Sequence, residues 1–154
     1  MTEQPPTATL VIRIATADDV ELIEELDSFS TSPTRNIHQE MEQYFGSVDP
    51  STHMHTLIFL AEIAGIAVAK AELMLPPPLS DGTGYVKRVV VRPEQRGKGL
   101  AKHLLQHIVS FARNEQKLKA VDLHVWEQNH AAIGLYEALG FQLQHRELYY
   151  RLPL

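Results

Sequence analysis

Between Arg92 and Lys102 the chain reads RPEQRGKGLAK: a proline that stops a strand, two glycines around a lysine, and then apolar residues at helical spacing, Leu100, Leu104, Ile108 and Phe111. Residue types in this order suit the binding of an anion. Gly97 and Gly99 lack a Cβ, so a ligand can come close to the backbone. The helix that follows opens on unpaired N–H groups and on the positive end of its dipole. Arg96 and Lys98 add charge beside it, and Ala101 keeps the first turn small. A phosphate is the anion these features fit best. Two common phosphate motifs nevertheless fail. A G-x-G-x-x-G fingerprint starting at Gly97 would place Lys102 where its last glycine belongs, and a P-loop needs Ser or Thr after Gly-Lys, whereas Gly99 follows Lys98. A tight strand-to-helix turn with solvated basic side chains would use the same residues, and this stretch alone does not separate the two.

The elements that must position this loop follow from hydrophobic period and from breakers. Thr9 to Ala15 alternates as a strand, and Thr16 then reads as a helix cap with Asp18 and Asp19 in the first turn. That helix carries Val20, Ile23 and Leu26 on one face and Glu21, Glu24 and Glu25 elsewhere. SFSTSPTRN is a loop, and a second helix is predicted over Asn36 to Phe45. Thr56 to Glu62 and Ile66 to Leu75 read as a hairpin turning near Gly65. Pro76 to Gly84 is a loop that cannot continue a sheet. Then come a strand over Tyr85–Val91, a helix from about Gly99 to Asn114, a strand over Ala120–Val125, and a helix from about Asn129 to Leu139 stopped by Gly140. Phe141 to His145 and Leu148 to Leu152 are predicted as closing strands. The hairpin and the closing strands point to an α+β fold with a mixed sheet rather than a purely parallel one. One domain over residues 8–154 is expected, after a loose N-terminus over 1–7.

The whole chain narrows the function classes. Its 154 residues hold 44% hydrophobic and 21% charged positions, as ordinary globular domains do. A net charge of -5 argues against nucleic acid, whose backbone asks for a broad basic surface. The absence of cysteine removes disulfides, a Cys nucleophile and thiolate metal sites, and suits a reducing cytoplasm. MTEQPPTATL has neither the basic end nor the apolar core of a signal peptide, and no apolar run approaches the ~20 residues that span a bilayer. A cytoplasmic protein without membrane contact is the expectation.

The strand, loop and helix VVVRPEQRGKGLAKHLL resemble the acetyl-CoA-binding motif of the GNAT acyltransferase superfamily, Arg/Gln-x-x-Gly-x-Gly/Ala, with Arg96, Gly99 and Ala101 in its defining positions. Further on, WEQNHAAIGLYEALGF resembles that family's second signature through Asn129, Ala132, Leu135, Tyr136, Glu137, Leu139, Gly140 and Phe141. The resemblance implies the GNAT fold, a central, mostly antiparallel sheet flanked by helices, and acetyl-CoA as cosubstrate. It assigns the CoA pyrophosphate to the backbone of Arg96, Gly97, Lys98, Gly99, Leu100 and Ala101, with Lys102 at the helix start. It lays the pantetheine arm along Val89, Val90 and Val91, with one of those amides aimed at the thioester carbonyl, where a fixed donor stabilises developing negative charge. Asn129 would hydrogen-bond the arm, although Asn is equally a good helix cap. Tyr136 would act as general acid toward the CoA sulfur, the alternative being a core aromatic.

The acceptor side is less defined. A primary amine with a pKa of about 10.4 is mostly protonated at neutral pH and needs a base before it can attack. Members of the family place a Glu on the strand before the loop, and Tyr85–Val91 contains none. Glu72 on the preceding strand is the nearest carboxylate, with an outward-facing strand position as its alternative; His53 and His55 are further candidates. His103 and His107 share a helix face opposite the apolar stripe, neither His pair has a third ligand, and no metal is expected. The lack of cysteine excludes a Cys-linked acyl-enzyme, which favours direct transfer in a ternary complex. The acceptor is expected near Ser30–Asn36 and Leu79–Gly84, as a small-molecule amine. A protein N-terminus or lysine as acceptor, or a non-catalytic acyl-CoA-binding module, are the alternatives. Homodimerisation is common in the family and is carried by no feature of this sequence.

Overall fold

Strand β1, Leu10–Ile14, enters the helical layer through Thr16, whose N–H donates to Asp19 Oδ2 at 2.8 Å. A single 3-10 turn over Ala17–Asp19 precedes helix α1, Val20–Asp27, which buries Val20, Ile23 and Leu26 as the helical spacing predicts. The structure is a computed structural model that describes residues 9–30, 35–45, 55–77 and 79–154. Within these, the predicted second helix is shorter than expected. Asn36 caps a 3-10 turn over Ile37–Gln39 by accepting from the His38 amide, and only Met41–Phe45 forms α2. Glu40, at φ -120 and ψ 22, separates the two pieces.

The hairpin forms from β2, His55–Ile63, and β3, Ile66–Leu75, across Ala64–Gly65. Strand β4 spans Thr83–Val91, helix α3 Leu100–Asn114 and strand β5 Ala120–Asp122. The five strands stand in sequence order; β1 to β4 are antiparallel and β4–β5 is parallel.

Strand period divides this sheet into two packed faces. Ile58 and Leu60 join Ala15, Val20, Ile23, Leu26, Ile37 and Tyr44 in a core under α1 and α2. Phe59, between them in sequence, points to the opposite face, where its ring meets Phe111 at 5.3 Å and His107 at 5.8 Å, both on α3. Leu104, Leu105 and Ile108 of α3 have no exposed surface. Burying each such side chain contributes about 1.5–3 kcal/mol relative to leaving it in water.

The chain divides into two compact units, one ending at His124 and one running Val125–Leu154. The second unit contains α4, His130–Ala138, followed by Gly140 at φ 99. Here two expectations fail. Phe141–His145 and Leu148–Leu152 are not strands, and β5 stops at Asp122 rather than Val125. A strand exists only by virtue of a neighbour that completes its ladder, and within its own unit the alternating apolar residues of this tail have none. Leu148, Tyr150 and Leu152 are exposed accordingly. Among the described residues, no helix is long and apolar enough to cross a membrane.

Candidate functional site

Pro93 closes β4, and Pro93–Gln95 makes one 3-10 turn that delivers the chain to Gly97 and Gly99. Both glycines sit in the left-handed region, at φ 80 and φ 76, where a Cβ would be strained even though open space surrounds it. Gly99 is also the N-cap of α3, so the first turn of a fifteen-residue helix opens directly on the loop. The first backbone bond into that helix is donated by the His103 amide to the Gly99 carbonyl at 3.1 Å. The amides ahead of it are those a helix start leaves for a ligand. Arg96 Nε donates to the Val91 carbonyl at 3.3 Å and Lys98 Nζ to Gln95 Oε1 at 3.0 Å, so one cation folds back on the strand's backbone and the other on a side chain of the loop. Leu100 anchors the turn in the core, whereas Lys102 is exposed. A cradle of left-handed glycines, helix amides and two cations fits a diphosphate.

The strand leading into this loop is not regular. On β3, Ala71 alone lies between the paired residues Lys70 and Glu72; on β4, Arg88 and Val89 lie between their partners Val90 and Lys87. This is a β-bulge, and Arg88 carries its strain at φ 52. On the outer side of β4, pairing with β5 runs only through Thr83, Gly84 and Tyr85. From Val86 to Val91 no described strand covers that edge. Val89, Val90 and Val91 therefore line a backbone edge next to the anion cradle, which the sequence anticipates only through resemblance.

Behind the bulge lies a buried charge network that sequence reasoning missed. Glu72 and Lys70 have no exposed surface. Arg35 NH1 and NH2 clamp Glu72 Oε1 and Oε2 at 2.6 and 2.5 Å, and Lys70 Nζ reaches Glu72 Oε2 at 2.6 Å and Asp27 Oδ1 at 2.7 Å. Arg35 Nε closes the set on Asp27 Oδ2 at 2.9 Å. The four side chains sum to zero charge. Burial opposes the Arg35 cation, but the hydrogen bonds and charge of Glu72 outweigh it and raise its pKa. Lys70 Nζ also lies 3.5 Å from the Arg88 carbonyl, so the network supports the bulge. Glu72 is thus not the outward-facing strand residue that one reading allows. Both its oxygens already accept from cations, Oε1 from Arg35 and Oε2 from Arg35 and Lys70. Lys70 and Glu72, opposite charges two apart in the apolar run IAVAKAELML, were the available signal; Arg35, inside a polar loop, gave none.

On the same sheet face, Lys87 pairs across from Glu72 and is half-buried; burial, with Arg88 and Arg35 assisting, lowers its pKa against the pull of Glu72. Two residues earlier, Tyr85 Oη lies 2.6 Å from His124 Nδ1, with the rings 5.5 Å apart. His55 begins β2 opposite Leu75, and His53 lies outside the described residues, as do Thr31–Thr34 and Pro78 of the loops flanking the expected acceptor site. His103 and His107 are exposed on α3, and no group of three His, Asp or Glu that could hold a metal occurs among the described residues.

In the second unit, Asn129 caps α4 by accepting from the Ala132 amide at 3.2 Å. Tyr136 is half-buried, edge-on to Phe141 at 6.0 Å, and burial raises its pKa, which keeps the phenol protonated.

The sequence profile of the acetyltransferase (GNAT) family matches residues 20–141. The chain is 29% identical over 96 residues to glucosamine 6-phosphate N-acetyltransferase of Trypanosoma brucei brucei, covering 60% of this chain and 63% of that one. It is 27% identical over 121 residues to spermidine N(1)-acetyltransferase of Vibrio cholerae, covering 79% and 61%. The chain thus spans about three fifths of the length of these relatives. Among solved structures, aminoglycoside N-acetyltransferase AAC(6')-Iy in complex with CoA superimposes with a TM-score of 0.75 over 99% of this chain and all of that one, at 19% identity. That likeness shows the fold.

Proposed function

The chain belongs to the acetyltransferase (GNAT) family, and on that premise we propose that it moves an acetyl group from acetyl-CoA to the primary amine of a small molecule, by direct attack in a ternary complex. The observation that carries this reading is the cradle at 96–102: two left-handed glycines and the open start of α3, adjoining a β4 edge that no described strand covers. Bound acetyl-CoA supplies the activated acyl group as a thioester.

The chain's own residues do the rest. Amides from Arg96 to Ala101 hold the diphosphate, with Lys102 adding charge at the helix start. The edge of Val89, Val90 and Val91 takes the pantetheine arm as an added strand, and one of its amides donates to the thioester carbonyl, stabilising charge that develops there. Asn129 caps α4 with its oxygen and keeps its amide N–H2 for the arm. Tyr136, held protonated by burial, returns a proton to the leaving sulfur. In this reading Glu72 does not take the amine's proton; it holds Arg35 and Lys70. Since the chain has no cysteine, no cysteine-linked acyl-enzyme forms. Glucosamine 6-phosphate and spermidine, named in two relatives, are the natural first acceptors to try.

Isothermal titration of acetyl-CoA into the wild type and Gly99→Glu tests the cradle. Micromolar binding that the Glu side chain abolishes supports it; a wild type that does not bind acetyl-CoA overturns it.

A further inference from the structure

Building on the transfer reaction proposed above, we infer that Tyr85 and His124 form the pair that takes the proton from the acceptor's ammonium group. Tyr85 is the last residue of β4 that pairs with β5, opposite Asp122. His124 follows Asp122 by two residues and returns to Tyr85, placing its Nδ1 2.6 Å from the phenol oxygen. The pair therefore stands where the two strands part. The opening they leave runs along β4 from Val86 to Val91 and ends at the anion cradle. A ligand anchored there by its phosphates and laid back along Val91 to Val89 directs its far end toward Tyr85. At about 3.3 Å per residue, Val89 and Tyr85 are roughly 13 Å apart along a straight strand, and the bulge at Arg88 shortens this. That spacing accommodates an amine and one bridging water.

The local packing holds the pair in place. A Cβ on Gly84 would lie 2.8 Å from Leu118 Cδ1 and 3.2 Å from Leu73 Cδ1, so the bare glycine lets Leu118 seat the start of β5 against β4 just before Tyr85. The Lys119 amide adds a bond to the Gly82 carbonyl at 2.9 Å. The charged groups around the pair are Lys87 two residues along β4, Glu72 opposite Lys87 on β3, Arg35 and Glu40 from the helical layer, and Asp122 on β5. Of these, Glu72 is already engaged by Arg35 and Lys70, whereas His124 brings a ring nitrogen to the phenol.

The proton can travel by either tautomer. If His124 Nδ1–H donates to Tyr85, Nε2 receives the ammonium proton. If Tyr85 donates to Nδ1, the phenol takes the substrate's proton as it passes its own to that nitrogen. Both leave an imidazolium and a neutral amine. The amine lone pair then forms the N–C bond to the acyl carbon as the C–S bond breaks. The proton shed by the new amide nitrogen balances the one taken up by sulfur, and the imidazolium releases its proton to solvent.

The test compares wild type with Tyr85→Phe, His124→Gln and the double variant, following CoA release with spermidine and glucosamine 6-phosphate at pH 7 and pH 10, alongside acetyl-CoA titration. The expected result is about a 100-fold loss in kcat for either variant at pH 7. The double variant should lose no more than either single, acetyl-CoA affinity should not change, and the loss should shrink to within about threefold at pH 10, where a good share of the amine is already neutral. Variants that stay within threefold of wild type at pH 7, or a loss equally large at both pH values, overturn the pair's role. The same holds if Lys87→Gln alone reproduces the full pattern. A wild type that binds acetyl-CoA but acetylates neither amine fails at the transfer reaction itself, which separates that failure from active variants.

Discussion

Two groups of polar side chains flank strand β4, and they are built in opposite ways. On its β3 side, Arg35, Lys70, Glu72 and Asp27 form a closed set in which Lys70 and Glu72 have no exposed surface and every carboxylate oxygen meets a cation. On its outer side, Tyr85, His124 and the loop at 96–102 stand at a backbone edge that ends its pairing early. A buried network whose carboxylates all meet cations holds the geometry of the strands it joins. The Tyr85–His124 pair stands at a parting of strands, and in the proposal above its work is chemical. The two meet at Arg88, whose carbonyl contacts Lys70 and whose left-handed backbone makes the bulge.

The sharpest way to break this contrast is Glu72→Ala. It leaves Arg35 and Lys70 as buried cations short of their shared partner, and the expected loss of stability is about 3–5 kcal/mol, a large part of the 5–15 kcal/mol typical of a domain. Urea unfolding measures it; a loss below about 1 kcal/mol would mean the network is not holding the fold. On the chemical side, Tyr136→Phe is expected to lower kcat about 100-fold while leaving acetyl-CoA affinity unchanged. Because burial raises the phenol's pKa, wild-type kcat should hold until the pH exceeds the ordinary tyrosine value of 10.0 and only then fall, a limb the Phe variant lacks.

A partly exposed counterpart of the buried network sharpens the comparison. Arg13 joins Asp19 at 2.8 Å and Glu62 at 2.5 Å where β1 enters α1. The Arg13 hydrogen bonds hold Asp19 below its ordinary value of 3.8, against the opposing effect of burial. The sign follows from that depression. The folded state binds this proton less readily than the unfolded chain, so the stabilisation is fully present above the ordinary value and is lost as pH falls through the depressed one. Asp19→Asn is expected to cost about 1 kcal/mol at pH 7 and to flatten the fall in urea midpoint below pH 4. An unchanged acid limb would assign that fall to other carboxylates.

What the sequence disclosed follows the range of the forces involved. Val20, Ile23 and Leu26, the Ala64–Gly65 turn and the Gly97–Gly99 loop are local in cause, since period and backbone freedom specify them, and they form as read. The Arg35–Glu72 clamp joins residues far apart in the chain, and nothing near Arg35 announces its partner. The bulge at Arg88 is a mismatch between two strands and so is absent from either strand's own pattern. The tail fails for the converse reason. Phe141–Leu152 has the alternation of strands, but a strand needs a partner, and within the unit Val125–Leu154 alternation alone does not supply one.

Asn129 brings the contrast down to one side chain, whose two ends would serve the two purposes. Its Oδ1 accepts from the Ala132 amide, a structural task; its Nδ2 is the donor proposed for the pantetheine arm. Asp keeps the accepting oxygen and is as good a cap as Asn, whereas Ala removes both functions. Asn129→Ala is therefore expected to cost about 1 kcal/mol in thermal or urea unfolding of α4, while Asn129→Asp stays within a few tenths. Both variants should weaken acetyl-CoA about tenfold by titration, the worth of one good hydrogen bond. If Asp binds acetyl-CoA as tightly as wild type while Ala is weakened, the cap alone positions whatever α4 contributes, and the donor role of Nδ2 is wrong.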